Sequence, residues 1–376
     1  MYNRWLFPLI NFRRNLYMKR ILILLLLLAV AGSLFAQLTW TGSVLGGFGL
    51  TKLEDAEEIS VGTGTNALDA GNYRLRLNGV AANEAGTAGG RFRVQASGVP
   101  SGFTTALSIP YAWGWMNFAD GLVKVLGGKV TELEFNSVDS WYANSYFSGA
   151  YGLQAYVYPS DLFRFGVGVK TTNSVTDGKN MDGMTGWLGL GADLDAISLA
   201  AQLEAGKDNA NAFVSASYEG LSDLGLTLGV YAEFANLTEF SDAGEINTGL
   251  TVDYSGMLDA WLYVIPYFFM EEGSDMFLAF NCGAEYGVND LVSAGLDVNY
   301  IFQGGTYDGL FDWDETLVKD HSFVGFKPYV TFSPNGTSSN IKLGYYLTKD
   351  LSKSDPEDIK KGSLNHAAFI DFSWSF

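Results

Sequence analysis

From residue 38 onward apolar and polar side chains alternate one by one, the period of an extended strand and not of a helix. Three stretches show it most plainly. Leu224, Leu226, Leu228, Val230, Ala232 and Phe234 are interleaved with Gly, Thr, Gly, Tyr and Glu. Val292, Ala294, Leu296, Val298, Tyr300 and Phe302 alternate with Ser293, Gly295, Asp297, Asn299 and Ile301. Ala368, Ile370, Phe372, Trp374 and Phe376 alternate with Ala367, Phe369, Asp371, Ser373 and Ser375. The pattern predicts about eighteen strands, with sixteen as the alternative count. They run near 38–50, 71–81, 90–97, 109–118, 121–130, 148–158, 162–170, 184–193, 197–205, 210–219, 224–235, 245–254, 259–269, 276–287, 290–302, 322–333, 338–348 and 365–376.

One face of each strand is continuously apolar and the other polar or glycine. In a soluble sandwich the apolar faces would meet in a core, but no second set of strands or helices is available to cover so many. In a transmembrane β-barrel they face lipid, while the polar set faces a wet lumen. The expected fold is therefore all-β, an up-and-down antiparallel barrel in a bacterial outer membrane. Tight turns fall at Pro159-Ser160-Asp161, Asp193-Leu194-Asp195, 219–223, Ser255-Gly256-Met257, Val288-Asn289-Asp290 and 333–336, with residue types that tolerate turn dihedrals. Longer polar loops lie between them at 51–70, 131–147, 171–183, 236–244, 303–321 and 349–364. With eighteen strands this alternation places both termini on the periplasmic side. Two connections on the long-loop side, 206–209 and 271–275, are short. The strand from Trp261 to Phe269 is apolar on both faces and contains Pro266, which has no ladder donor. It meets another protomer, packs under a loop, or is not a membrane strand.

The chain start differs from the rest. Met18-Lys19-Arg20 precede an apolar run from Ile21 to Val30, followed by small residues, as in a secretory signal peptide. Cleavage after Ala36 would leave Gln37 first, and cleavage after Ala31 is the alternative. Residues 1–36 are thus expected to be a signal peptide with an extended n-region, and 37–376 the barrel.

The 376 residues include 45 Gly, 8 Pro, 26 Phe, 20 Tyr and 9 Trp, which suits a sheet rather than amphipathic helices. Residues 1–36 hold five of the 23 Lys and Arg and none of the 41 acids, leaving 18 basic residues and a net charge of −23. Such a surface repels phosphates and excludes nucleic acid as a partner. The lone Cys282 has no intrachain disulfide partner. With His321 and His366 as the only histidines, neither a serine-hydrolase triad nor a His-based metal site is indicated, and no enzyme is expected. A Ca²⁺ held by Asp312, Asp314 and Glu315 is a weaker alternative to a solvated acidic loop.

Sorting side chains by face gives a lumen set. Its basic members are Arg74, Arg76, Arg91, Arg93, Lys124, Arg164, Lys170 and Lys342, and its acidic members Glu204, Glu219, Glu233, Asp253, Glu285 and Asp297. The two arginine pairs should be neighbours across one hairpin. Opposed arcs of charge across a narrow wet passage would set up a transverse field that orients dipolar solutes. The competing expectation is that these groups are solvated, pair locally and select nothing.

The run Gly121-Leu-Val-Lys-Val-Leu-Gly-Gly-Lys129, followed by Thr131-Glu-Leu-Glu-Phe-Asn-Ser-Val-Asp139, resembles the strand-5 and third-loop region of general diffusion porins. That resemblance implies a loop folded inward to narrow the pore, with Glu132, Glu134 and Asp139 as its acids, although the family motif's Pro and paired Gly are absent. The ending Phe372, Trp374, Phe376 resembles the terminal-strand signal read by the barrel-assembly machinery. Outer-membrane lipid and small hydrophilic solutes are the implied partners, with a homo-oligomer as a further option. The expected function is passive diffusion through a charged, water-filled lumen. A channel selective for sugars or anions, with Trp187, Tyr156, Tyr231 and Tyr263 as a stacking track, is one alternative. An adhesin or structural barrel without an open pore is the other.

Overall fold

The computed structural model describes residues 37–52, 59–62, 73–98, 106–130, 134–138, 151–171, 184–207, 209–270, 277–302, 322–334, 339–351 and 364–375. The strands are β1 (Gln37–Lys52), β2 (Ile59–Gly62), β3 (Tyr73–Ala82), β4 (Ala88–Gly98), β5 (Ala106–Phe118), β6 (Val123–Lys129), β7 (Tyr151–Ser160), β8 (Phe163–Thr171), β9 (Met184–Leu194) and β10 (Ile197–Ala205). They continue as β11 (Ala210–Leu221), β12 (Leu226–Ala235), β13 (Glu245–Tyr254), β14 (Leu258–Phe269), β15 (Phe277–Asn289), β16 (Val292–Phe302), β17 (Phe323–Phe332), β18 (Asn340–Asp350) and β19 (Leu364–Ser375).

All belong to one antiparallel sheet in which each long strand pairs with its sequence neighbours. The ring closes where β1 pairs with β19, Ser43 opposite Ser375 through Lys52 opposite His366. The other edge of β1 is shared. Its first half pairs with β3, from Gln37 opposite Ala82 to Leu45 opposite Arg74. Its last residues, Gly49 to Lys52, pair with the four residues of β2. Eighteen strands thus form the wall, and β2, inside the predicted loop 51–70, is an addition that alternation over four residues could not reveal. By register, both chain ends of the sheet lie at the short-turn end.

The connections explain the regularity. At the β15–β16 turn, the side chain of Asn289 accepts the backbone N–H groups of Leu291 and Val292 at 2.9 and 3.0 Å. Between β10 and β11 the N–H of Gly206 donates to the carbonyl of Asn209 at 2.7 Å. The doubly apolar strand is β14, a member of the wall. Its ladder to β13 skips the pairs facing Ile265 and Pro266, and the Thr248 hydroxyl donates to the Pro266 carbonyl at 3.3 Å. Trp261, Tyr263, Ile265 and Tyr267 point inward, where Ile265 packs with Ala279 and Ile301.

Polarity is inverted relative to a soluble domain. Phe165, Val167, Val169, Leu188 and Leu190 are exposed on the outer surface, while Gln202, Glu204, Ser215, Asn247 and Thr251 are buried inside. Exposed apolar rows backed by buried polar ones suit a wall with lipid outside.

Candidate functional site in the barrel lumen

The register assigns each inward side chain a position. On β3 and β4, Arg74 faces Ser97, Arg76 faces Gln95, Asn78 faces Arg93 and Val80 faces Arg91, so the four arginines share one inner patch. Arg76 Nε donates to Gln95 at 2.8 Å and Arg93 Nε to Asn78 Oδ1 at 2.7 Å. The next strand supplies ring faces. Arg91 lies 5.6 Å from the centre of Trp113, and Arg93 4.8 Å from that of Tyr111. Amide oxygens and rings hold these planar cations in place without cancelling their charge.

The remaining basic residues are handled differently. Lys124 sits 5.9 Å from the Tyr156 ring and Lys342 3.9 Å from the Tyr329 ring. Arg164 pairs with Asp193, and Lys170 with Glu204 at 2.7 Å. The basic and acidic arcs therefore meet and neutralise each other on β8 to β10.

Further round, tyrosines orient the acids. Tyr263 donates to Asp253 at 3.0 Å, Tyr329 to Glu285 at 2.9 Å, and Tyr267 to Glu245. Glu233 stands on β12 opposite Asn247 of β13, and Glu219 lies exposed at the short-turn mouth of β11. Asp297 faces Lys327, and Lys342 faces Asp371, so mixed charge continues through β16 to β19. Glu245, Lys327 and Asp371 were not singled out from the sequence, though their inward phase was readable. Each follows or precedes an apolar outward residue by one position.

Position in the ring gives these groups their meaning. Counting the eighteen wall strands in order, β3 and β4 stand nine strands from β12 and β13, half the circumference. The arginine quartet is thus diametrically across from Glu233, Glu245 and Asp253.

Of the 131–147 connection, residues 134–138 are described. They lie against the inner wall across β8 to β12. Arg164 Nε donates to the Glu134 carbonyl at 2.9 Å, and Gln202 Nε2 to the Phe135 carbonyl at 2.5 Å. The Ser137 N–H and hydroxyl both bond to Ser215 Oγ, at 3.0 and 2.8 Å. Val138 joins a buried cluster with Phe213 and Tyr231. Phe135 is fully buried, its ring 5.4 Å from Tyr156 and 6.1 Å from Trp187. Residues 134–138 thus rest on the inner wall, while Glu132 and Asp139 fall outside the described residues.

The same packing bears on the proposed stacking track. Tyr156, Trp187 and Tyr231 keep 0%, 3% and 4% of their surface exposed, because Phe135 and Val138 cover them. Three of the four aromatics thus support the loop, and of that set only Tyr263 stays partly open. The outward ends of the signal, Phe372 and Trp374, are exposed on the outer face of β19, and Phe376 lies outside the described residues. So do residues 1–36, His321 and the acidic loop of Asp312, Asp314 and Glu315. Among the described residues no group of His, Cys, Asp and Glu could hold a metal ion.

No protein-family model and no curated protein matches this chain. Solved structures do. OccK2 (OpdF) of Pseudomonas aeruginosa superposes with a TM-score of 0.59 at 9% identity, over 91% of this chain and 98% of that one. A BenF-like porin from Pseudomonas fluorescens Pf-5 gives 0.59 at 10% identity, over 91% and 100%. A mutant of the Rh. blastica porin gives 0.50 at 16% identity, over 90% and 100%. At such identities the likeness is one of fold: this chain is a closed eighteen-strand antiparallel barrel of the kind that forms bacterial outer-membrane porins.

Proposed function

We propose that the barrel is a passive, water-filled channel for small hydrophilic solutes, with both termini on the periplasmic side. The observation that carries this reading is the cross-section. A loop segment bonded to the inner wall of β8–β12 narrows the passage, and a cationic patch faces carboxylates half a ring away. Water-lined polar walls favour hydrated solutes, and the charge separation gives them a transverse field to align in. Outward-facing arginine would cost ~2–4 kcal/mol each at mid-depth, so the inward phase of the quartet is strongly favoured.

A second reading, a channel preferring anions, draws on the arginines themselves. In the described structure Arg76, Arg91 and Arg93 are partnered by amides and ring faces, which leaves their positive charge available to a passing solute. Planar-bilayer recording tests both. Open-channel conductance by purified protein is expected, and its absence would favour an adhesin or structural barrel. Replacing Arg74, Arg76, Arg91 and Arg93 together by Gln should shift the reversal potential in a salt gradient toward cation selectivity. The shift should shrink near 1 M salt, where screening shortens the field to about 3 Å. An unchanged reversal potential at low salt would leave the quartet without a role in selectivity.

A further inference from the structure

The outward face of the described strands is nearly free of charge, as lipid contact demands. The charge it does carry is of one sign and at one end. Among residues with described side chains, its charged members are Lys129 on β6 and Lys349 on β18, and the imidazole of His366 on β19 stands with them. All three stand within three residues of the long-loop end of their strands. Acids outnumber Lys and Arg by 41 to 18 beyond residue 36, so a rim with two lysines and no acid among its described side chains runs against composition. Lysine heads that merely reach for water would serve equally at either end. The short-turn end has none among the described residues.

Two of the three are neighbours. Leu347 pairs with His366 and Lys349 with Leu364, so Lys349 and His366 are diagonal partners on the outer face, about 7–8 Å apart at the backbone. The Tyr345 hydroxyl lies 2.6 Å from His366 Nδ1 and fixes the ring. With the tyrosine donating, Nε2 carries the proton and can donate to an anion. Toward mid-depth from this patch, Leu343, Ile370 and Phe372 form an exposed apolar strip.

We propose that β18 and β19 carry, at the long-loop end of their outer face, a binding site for a phosphate-bearing membrane lipid. Lys349 and His366 hold the phosphate oxygens through charge-assisted hydrogen bonds, and the acyl chains lie along Leu343, Ile370 and Phe372. The inference rests on the outward face being lipid-facing and not on conduction. It implies that the leaflet at the long-loop end is the more anionic one.

The test uses the mature barrel in nanodiscs of phosphatidylcholine containing a minor fraction of phosphatidic acid, with retained lipids counted by native mass spectrometry. Wild type should retain phosphatidic acid with roughly fivefold preference or more, the factor expected from one cation–phosphate contact worth about 1 kcal/mol. The K349Q/H366Q double variant should lose that preference while keeping its heat-modifiable mobility, and the charge-preserving Lys349→Arg should keep it. Lys129→Gln, at a distant point of the rim, should leave it intact. A double variant with wild-type preference, or a wild type with none, overturns the proposal. Displacement of the lipid by inorganic phosphate alone would make this a free-anion site and overturn the lipid assignment. A barrel that enters no disc at all would overturn the lipid-facing reading itself.

Discussion

Phe135 occupies space that Gly166 and Gly189 leave open on β8 and β9, since a Cβ on either would overlap its ring. Glycine is needed there for close approach. Burying a phenylalanine stabilises by about 1.5–3 kcal/mol, and three hydrogen-bond donors, Arg164, Gln202 and Ser137, fix the adjoining backbone. Phe135→Ala should therefore loosen residues 134–138 by ~3–5 kcal/mol, the usual cost of such truncation in a packed site. Single-channel conductance should rise and become noisier. Gly166→Val, which attacks the same contact from the wall, should do likewise. Wild-type conductance in both variants would show that the loop's position does not set pore width.

Among the strands, β19 closes the ring by pairing with β1. Its outward row, Ala368, Ile370, Phe372 and Trp374, is the lipid face of the closing seam with β1. Its aromatics present one apolar ribbon beside that seam. Deleting Phe376 should lower the membrane-inserted fraction, scored by heat-modifiable migration after expression. Normal insertion of the truncated chain would place the assembly signal elsewhere. Prolines in the wall mark ladder defects in the same spirit. Pro110 lies beside the β4–β5 register shift, and Pro266 in a gap of the β13 ladder, where a missing N–H does least harm.

At the scale of the molecule, the barrel is held by a closed backbone ladder, and the start of the sequence carries the proposal that the mature chain begins at Gln37. Cleavage after Ala36, as the sequence pattern proposes, would leave Gln37 at the amino end. Outer-membrane protein should give a sheet-type circular dichroism spectrum and an amino-terminal sequence near Gln37. Recovery of intact Met1 from that membrane would rule out the cleavage, and a helical spectrum would rule out the fold.

Period-two alternation is a local property, and strand by strand it determines which side chains share a face. The positions of eighteen strands, the lipid-facing rows and the inward phase of the arginines were all legible along the chain for that reason. Ring closure is not local. The distance across the lumen between Arg93 and Asp253 follows from nine intervening strand pairings, each invisible to the others in sequence. The pairing of Lys170 with Glu204 likewise required β8, β9 and β10 to lie side by side, which turned two members of opposing arcs into one neutral pair. Docking of Phe135 on Gly166, Gly189, Tyr156 and Trp187 joins residues from four segments. Alternation marked Tyr156 and Trp187 only as inward aromatics. Whether an inward ring meets solute or a loop depends on what the tertiary fold lays over it, and that was decided by packing alone.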